Sequence, residues 1–425
     1  MVCDLPLPTS FTSRPTVTQP SPTSASVHPP AYNYSTIVDY TLNLDIVHSE
    51  IPTKFSRAPR TCPFYKRMPH SNFAIDAFSY GRIPDCTGYF LTHFHADHYG
   101  GLTSTFNHGP IYCSAVTANL VIHKLGVNSQ WVRVLPLNQP VLIGEARVTL
   151  FEANHCPGSV LFFFDIPLPS PATAARSFKI LHTGDFRACP AQCLNPYIKD
   201  TQLDALYLDT TYLDPTYAFP PQREVIEAAP KHRLDDRLLF VVGTYTIGKE
   251  RIFASIAEAL DSKVYVDYPK KRILRCLEDP ALWARLTDRA ADAQVHVTAM
   301  NRITKLHMEA YLRENPAFTH LAAIKPTGWT FACRGLPRRR TFTMEHPTPI
   351  SRSSNLLIMG VPYSEHSSFR ELAAFVLSIQ VKQIIPTVNV GDPARREEMR
   401  VWLDKWQAYK KHSGVQRIPV RQDYW

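Results

Sequence analysis

The sequence predicts an α/β fold in which several short strands present polar side chains at one edge. Six times between residues 73 and 366, a short apolar run is followed by a residue able to bind a metal ion. Residues 213–345 differ, because apolar runs there alternate with segments of helical spacing, as in a small α/β unit. This unit separates Asp209 from His366, so we predict that it is inserted into the domain that carries the polar strand ends.

The first 57 residues differ in composition from the rest of the chain. They are rich in Pro, Ser and Thr, as in Pro20-Ser21-Pro22-Thr23-Ser24. Such a segment has too few apolar residues to build a core, so we predict a disordered tail over 1–57. The remaining sequence divides into the first part of the main domain over 58–212, the insert over 213–345, and the second part over 346–425.

The charge and the apolar content limit the classes of function. The 425-residue chain has a formal charge of +9 and a pI of about 9.0, which favours a polyanionic partner, although solubility alone would also explain it. No run approaches the ~18 consecutive apolar residues of a membrane helix, so no membrane association is expected. The nine cysteines are scattered without a repeated paired spacing, which is typical of reduced thiols in an intracellular protein.

The densest group of candidate metal ligands follows the apolar run Tyr89–Leu91, in the motif Thr-His-Phe-His-Ala-Asp-His. Side chains alternate between faces on an extended chain, so His93 and His95 project to the same side and can bind one ion. Asp97 and His98 follow where the chain turns, and can hold a second ion. Imidazole suits zinc and carboxylate suits harder cations, so the motif predicts a site for one or two divalent ions.

The other five strand ends carry side chains of the same kinds. These residues are Asp76, His155, Asp185, Asp209 and His366. Any one of them has an ordinary explanation as a turn, capping or solvated residue. Their recurrence predicts that the strand ends gather at one edge, where the side chains complete a metal centre.

The stretch 243–249, Gly-Thr-Tyr-Thr-Ile-Gly-Lys, follows the predicted strand Leu239–Val242. Glycines let backbone N–H groups approach a phosphate, and Thr246 and Lys249 add hydroxyl and cationic donors. The predicted substrate-binding residues are Thr244, Tyr245, Thr246, Gly248 and Lys249. The alternative is an ordinary turn between a strand and a helix, with a solvated lysine.

Taken in order, these motifs resemble a known family. The series Asp76, His93-x-His95-x-Asp97-His98, His155 and Asp185 is similar to the metallo-β-lactamase pattern. Residues 208–212, then an inserted unit, then Pro-Tyr-Ser-Glu-His-Ser-Ser at 362–368 resemble its β-CASP branch. Stretches 243–250, 325–329 and 385–391 are similar to the DNA cross-link repair nucleases, kin of Artemis and Apollo. The resemblance covers nearly the whole chain from about residue 60 to 395.

The resemblance implies an αββα sandwich with an inserted α/β β-CASP domain, and an active site in the cleft between them. It implies that the first ion is bound by His93, His95, His155 and Asp185. The second would be held by Asp97 and His98, with Asp185 bridging. Asp76 and Asp209 would orient ligands, as such partners fix the tautomer and the ring angle of a histidine.

The resemblance further implies a metal-dependent 5′→3′ DNA exonuclease that prefers a 5′-phosphate and acts in interstrand cross-link or break repair in the nucleus. The implied catalytic residues are Asp97, His366, Asp209 and Asp76. Asp97 could accept the proton of a water molecule or simply hold the second ion. His366 could protonate the leaving oxygen or contact the phosphate.

Val390 stands where RNA-processing members of the branch have a histidine, and a valine there is typical of DNA-directed members. We therefore expect one tightly bound Zn²⁺ and a weaker second site for Zn²⁺, Mg²⁺ or Mn²⁺. The expected partner is DNA, single-stranded or with a 5′-phosphate end, bound by a monomer; no protein partner is indicated. The alternatives are a structure-specific DNA endonuclease of the same family, an RNA-processing nuclease, a non-catalytic repair scaffold, or a hydrolase of small lactams or thioesters.

Overall fold

The structure, a computed structural model, describes residues 61–169, 176–217, 219–227, 235–328 and 348–416. The described residues belong to one compact unit, Ala58–Trp425. The predicted disordered tail, residues 1–57, lies outside the described residues. No helix in the described ranges has both the length and the apolar character needed to span a membrane.

The first sheet begins the main domain and holds the strands that lead to Asp76 and to the histidine motif. Its strands, in spatial order, are Arg67–Met68 (β1), Phe73–Ile75 (β2), Gly88–Phe90 (β3), Ile111–Cys113 (β4) and Val132–Val134 (β5). The pairing from β2 to β5 is parallel, and only β1 runs antiparallel to its neighbour. Parallel strands end at the same edge of a sheet, which brings the segments after β2 and β3 together.

The second sheet supplies the strands that lead to His155, Asp185 and Asp209. Its strands are Val141–Ile143 (β6), Ala146–Glu152 (β7), Val160–Leu168 (β8), Arg176–His182 (β9), Gln202–Leu208 (β10) and, later in the chain, Gln380–Pro386. The spatial order places this last strand beside β10, with β9, β8, β7 and β6 following. The strand at 380–386 is parallel to β10, and β10 is parallel to β9, so the chain returns to this sheet after the insert.

The two sheets pack face to face through an aromatic-rich core. Phe73 and Phe90 of the first sheet and Phe162 and Phe164 of the second share one buried cluster, with the Phe90 and Phe162 ring centroids 5.2 Å apart. These residues alternate along their strands with residues of the outer faces, so each strand buries one face in the sandwich.

Helices cover the outer faces of the sandwich and of the insert. Within the described residues the α-helices are Ala96–Tyr99 (α1), Ala115–Leu125 (α2), Pro190–Cys193 (α3), Pro196–Lys199 (α4), Gln222–Glu227 (α5), Glu250–Ala259 (α6), Tyr268–Leu274 (α7), Pro280–Arg285 (α8), Lys305–Glu314 (α9), Phe369–Ser378 (α10) and Pro393–Ser413 (α11). Single-turn 3₁₀ helices lie at Phe64–Lys66, Phe78–Tyr80, Ser129–Trp131, Arg275–Leu277, Ala290–Asp292 and Met300–Arg302. Helix α2 packs on the first sheet and helices α10 and α11 on the second, which confirms the predicted αββα sandwich.

The third sheet forms the inserted α/β unit. Its strands are Leu238–Thr244 (β11), Val264–Tyr265 (β12), Leu286–Thr287 (β13), Val295–Ala299 (β14), His320–Pro326 (β15), Thr348–Arg352 (β16) and Leu356–Val361 (β17), and the strand at 380–386 of the second sheet is β18. The spatial order is β13-β12-β14-β11-β15-β17-β16, and only β16 is antiparallel to its neighbour. Strands β16 and β17 belong to this sheet, so we propose that the insert extends to residue 361, beyond the predicted boundary at 345.

Candidate metal centre

The six polar strand ends meet in one place. Asp76 follows β2, the histidine motif follows β3, and Asp185 and Asp209 follow β9 and β10. His155 lies in the turn between β7 and β8, and His366 lies between β17 and α10. Convergence at one edge was predicted from the recurrence of the pattern, and the structure brings all six segments together.

Three imidazoles form the centre of this group. The His93 Nε2 atom lies 3.0 Å from His95 Nδ1, and His155 Nε2 lies 3.1 Å from the same atom. Tetrahedral zinc with Zn–N bonds of about 2.1 Å places two nitrogen ligands about 3.4 Å apart. Asp185 Oδ2 lies 3.8 Å from His93 Nε2 and 4.0 Å from His155 Nε2. These separations suit a shared divalent ion.

Each of the three rings has its other nitrogen bonded to an oxygen atom. His93 Nδ1 lies 2.9 Å from the Thr92 hydroxyl, which itself donates to Asp76, so the ring nitrogen is the donor. His95 Nε2 donates to the Ile247 carbonyl at 3.2 Å, and His155 Nδ1 donates to the Glu365 carbonyl at 2.8 Å. A neutral ring that donates through one nitrogen has its other nitrogen unprotonated, so three lone pairs face one another as a metal requires.

A second group of ligand atoms adjoins the first. His98 Nε2 lies 3.3 Å from Asp185 Oδ2 and 3.5 Å from Asp97 Oδ2. The other ring nitrogen of His98 donates to Asp76 Oδ2 at 2.7 Å. The three side chains predicted for a second ion therefore lie together, with Asp185 adjacent to both groups.

Asp76 fixes the start of the histidine motif through hydrogen bonds to Thr92. Its backbone is in the left-handed region, with φ 48°, and its carboxylate accepts hydrogen bonds from the Thr92 N–H at 2.9 Å and the Thr92 hydroxyl at 2.7 Å. Gly184 lies against the same threonine with φ 53°, and a Cβ there would lie 2.7 Å from Thr92 Cβ. Only glycine is compatible with this approach, which brings Asp185 up to the histidines.

The pKa values of the histidines shift in opposite directions in the two groups. Burial lowers the pKa of His93 and of His155 well below the ordinary value, and neighbouring imidazoles lower it further, which favours the neutral, metal-binding form. Burial also acts to lower the pKa of His98, but the carboxylates of Asp185 and Asp76 outweigh it and raise that pKa well above its ordinary value. These carboxylates favour the protonated form of His98, so a cation bound there would have to displace the proton on Nε2.

Asp209 and His366 form a hydrogen-bonded pair beside the first group. Asp209 Oδ2 accepts a hydrogen bond from His366 Nδ1 at 2.8 Å and from the Phe186 N–H at 3.2 Å. Burial acts to lower the pKa of His366, but Asp209 outweighs it and raises that pKa above its ordinary value. The His366 ring lies 4.6 Å from that of His155, centroid to centroid, so its free Nε2 is available beside the metal group.

Two cavities open beside the centre, and both are lined by Asp97, Asp185, Thr211 and His366. One, of about 390 Å³, lies toward the insert. The other, of about 520 Å³, lies toward the segment that follows β18. Val390 lines this second cavity together with Asp97 and His98, and its place in the position of a ligand for the second ion stays a prediction. The centre is accessible from both cavities.

The predicted substrate-binding stretch 243–249 borders the cavity toward the insert. Tyr245, Thr246 and Lys249 line that cavity, whereas Thr244 is buried at the end of β11. Gly248 lies against Glu365, where a Cβ would be 2.7 Å from Oε2. The role of the stretch in substrate binding stays a prediction. The Lys249 ammonium is buried and donates to Glu365 Oε2 at 2.9 Å, so the alternative of a solvated lysine is wrong.

The structure adds residues for which the sequence analysis assigned no role. Glu365 uses its carbonyl to orient His155 and its carboxylate to hold Lys249. Ile247 contributes a backbone carbonyl, which no side-chain pattern reveals. Cys156 is buried next to the first group, and its Sγ atom lies within 4.8 Å of a ring nitrogen of each of His93, His95 and His155. Burial raises the pKa of its thiol well above the ordinary value. Cys156 had one available signal, its position directly after His155.

Comparison with known proteins places these features in a family. A family model described as DNA repair metallo-beta-lactamase matches residues 280–392. The chain is 42% identical to the DNA cross-link repair protein pso2/snm1 of Schizosaccharomyces pombe, over 86% of this chain and 68% of that protein. It is 40% identical to the DNA cross-link repair 1A protein of Mus musculus, over 82% of this chain and 33% of that protein. It is 33% identical to the 5′ exonuclease Apollo of Gallus gallus, over 76% of this chain and 63% of that protein. The chain thus spans about two thirds of the yeast relative and one third of the mouse relative.

Proposed function

The chain belongs to the DNA cross-link repair branch of the metallo-β-lactamase/β-CASP family, and from this premise we propose that it is a metal-dependent 5′→3′ DNA exonuclease. We propose that it prefers a 5′-phosphate and acts in interstrand cross-link or break repair. The observation that carries the proposal is the meeting of His93 Nε2, His95 Nδ1 and His155 Nε2, each with its second ring nitrogen bonded to an oxygen. Such a group is suited to divalent metal binding and hydrolysis.

Zinc suits the first group better than a harder cation, because three imidazoles outnumber the single carboxylate of Asp185. When bound there, zinc would supply a Lewis acid and lower the pKa of water from 15.7 to about 7. We propose His93, His95, His155 and Asp185 as its ligands. Asp97 and His98 would hold a second, weaker divalent ion with Asp185.

The chain's own residues provide orientation and phosphate contacts. Asp76 holds both Thr92 and His98, so it fixes two segments of the ligand set at once. Asp209 fixes the ring of His366 through Nδ1 and leaves Nε2 available for a substrate oxygen. In this position His366 would either protonate the leaving oxygen or bind a phosphoryl oxygen.

A DNA strand is the substrate class that suits the surroundings of the centre. The two cavities that share Asp97 and His366 give a strand room on both sides of the scissile phosphodiester. Exposed Tyr245 offers an aromatic surface beside His95, with ring centroids 6.5 Å apart, on which a base could stack. The formal charge of +9 favours a polyanion. We propose a nuclear, monomeric enzyme.

The test uses single-stranded DNA labelled at its 3′ end, with either a 5′-phosphate or a 5′-hydroxyl. A 5′→3′ exonuclease produces a ladder of progressively shorter labelled products, faster on the phosphorylated strand. A chelator should stop the reaction and zinc should restore it. A His93→Ala variant shows whether any cleavage comes from a contaminating nuclease.

Circular single-stranded DNA separates the exonuclease from its main alternative. An exonuclease leaves the circle intact, whereas the structure-specific endonuclease would nick it. Digestion that begins at the 3′ end would overturn the proposed polarity. A protein that binds DNA but cleaves neither substrate in the presence of zinc would instead be a non-catalytic repair scaffold.

A further inference from the structure

Two of the three imidazoles of the first group are oriented by the insert or by the segment that directly follows it. His95 donates to the carbonyl of Ile247, which lies between β11 and α6. His155 donates to the carbonyl of Glu365, which lies just after β17. Only His93 takes its oxygen partner, Thr92, from the same strand end. The insert therefore contacts the ligand set directly.

The segment that presents Ile247 is fixed from one side by Glu365. The Glu365 carboxylate accepts the Lys249 backbone N–H at 2.7 Å through Oε1 and the Lys249 ammonium at 2.9 Å through Oε2. Both side chains are buried, with 7% and 5% of their surfaces exposed. Lys249 has a left-handed backbone, with φ 72°, and Gly248 has φ 99°. The Gly248 N–H also donates to Glu250 Oε1 at 2.9 Å, so the carboxylates of Glu365 and Glu250 together hold this unusual local geometry.

The same segment is fixed from the other side by Lys270 of helix α7. The Lys270 ammonium donates to the carbonyls of Tyr245 and Thr246, each at 2.9 Å. These two residues directly precede Ile247. Lys270 does not line the cavity beside the metal group, so its contacts are with the segment itself.

We propose that residues 245–249 of the insert are part of the metal-binding apparatus, and that Lys270, Lys249 and Glu365 are positioning residues for the metal ligand His95. The Ile247 carbonyl selects the His95 tautomer that leaves Nδ1 free for the metal. Displacement of this segment removes that selection and frees the His95 ring. This inference rests on the proposed metal site and extends it, since metal affinity becomes a property of the insert as well as of the sandwich.

The test measures zinc affinity in the absence of DNA, by competition with a chromophoric chelator on the full chain. Lys270→Met removes the donor to residues 245 and 246 without entering the cavity. Gly248→Ala displaces the segment, because a Cβ would lie 2.7 Å from Glu365 Oε2. Lys271→Met is the matched control, since the neighbouring Lys271 lies on the same helix but pairs with Asp288 at 2.9 Å.

Removing the hydrogen-bond partner of a metal ligand typically weakens metal binding about 10- to 100-fold. We expect Gly248→Ala to weaken zinc binding by about 10-fold or more, and Lys270→Met, one contact further away, by about 3- to 10-fold. Lys271→Met should bind zinc as the unchanged protein does. The visible spectrum of the cobalt-substituted protein should change in the first two variants and not in the third.

Two results would overturn the proposal. One is unchanged zinc affinity in Lys270→Met, which decides the matter even if Gly248→Ala does not fold. The other is an equal loss in Lys270→Met and Lys271→Met, which would mean that helix α7 contributes only general stability. Neither result depends on nuclease activity: a protein that binds zinc as proposed but cleaves no DNA would contradict the proposed function alone.

Discussion

Asp209 and His366 are 157 positions apart in the chain, yet Asp209 Oδ2 accepts a 2.8 Å hydrogen bond from His366 Nδ1. The inserted α/β unit lies between them in sequence. The chain therefore leaves the sandwich at Asp209 and returns to the same point at His366. The hydrogen bond joins the two ends of the insert beside the metal centre and fixes the ring of His366 there.

This relationship predicts a non-additive pair of substitutions. His366→Ala should lower kcat by about 10²- to 10⁴-fold, the usual size of a proton-transfer contribution. Asp209→Asn should cost about 10- to 100-fold, because it acts by orienting His366. The double variant should be close to His366→Ala alone. Single-turnover rates on 5′-phosphorylated DNA measure these effects, and two independent, multiplying losses would show that Asp209 acts separately.

Loss of a first-group ligand should abolish cleavage and leave the fold intact. We expect this of His93→Ala, because His93 Nε2 faces both His95 and Asp185. Asp97→Ala should also abolish cleavage, while the tightly bound zinc is retained. Zinc content, circular dichroism and turnover are the measurements. His307→Ala, an exposed histidine of helix α9, is the control, and near-normal turnover of His93→Ala in chelator-treated buffer would contradict the assignment.

Metal content should be nearer one tightly bound ion than two. Val390 lines the cavity that contains Asp97 and His98 but offers no ligand atom. Val390→His should therefore raise the occupancy of the second site after dialysis, whereas Val390→Leu should not. Elemental analysis of dialysed protein measures this. Two ions that survive dialysis in the unchanged protein would show that Asp97, His98 and Asp185 suffice.

The buried ion pair that supports the His366 segment predicts a large stability effect. Arg187 donates to Glu371 at 2.9 Å and to the Ser364 carbonyl at 2.7 Å, with only 2% of its side chain exposed. Arg187→Met should lower the free energy of unfolding by about 3–5 kcal/mol, because the buried Glu371 carboxylate loses its cation. The matched control is Arg400→Met, which breaks an exposed pair with Glu397 and should cost less than about 1 kcal/mol. Urea unfolding of both variants measures the difference, and similar losses would contradict it.

The strand ends of the main domain were predictable because each combines a local signal with a repeated pattern. The runs before Asp76, His93 and Asp209 are strands β2, β3 and β10. The apolar run that precedes His366, residues 356–359, is also a strand, but it lies in the insert sheet. A short apolar run identifies a strand without identifying the sheet it joins, because sheet membership depends on pairing between distant segments.

The least predictable part of the site consists of backbone carbonyls and of partners chosen by the fold. The carbonyl of Ile247 has no signature in the sequence, since every residue has one. Lys249 was expected to bind phosphate because its sequence neighbours are glycine and threonine. That role stays a prediction, but the structure also gives Lys249 a partner, Glu365, which is 116 positions away and is brought near only by packing of the insert on the sandwich.

Thr246 and Lys249 are the candidate residues for recognition of a 5′-phosphate end. A terminal phosphate carries more charge than an internal diester, so donors beside the centre would distinguish it from a hydroxyl. Thr246 is exposed and lines the cavity toward the insert. Lys249 lines it too, but donates one of its three ammonium hydrogens to Glu365. Thr246 is therefore the cleaner position to test, because a change at Lys249 also disturbs the segment that orients His95.

We expect Thr246→Val to narrow the ratio of cleavage rates between 5′-phosphate and 5′-hydroxyl DNA by about 3- to 10-fold, the size of a hydrogen bond of about 1 kcal/mol. Thr246→Ser keeps the hydroxyl and should keep the ratio. Lys249→Met should narrow the same ratio of rates because the ammonium is lost. It should also weaken zinc binding, because the ion pair with Glu365 that fixes residues 245–249 is lost. Equal rates on both ends in the unchanged protein would remove the terminal-phosphate pocket. If Thr246→Val slows both substrates equally, the hydroxyl contacts the strand without reading its end.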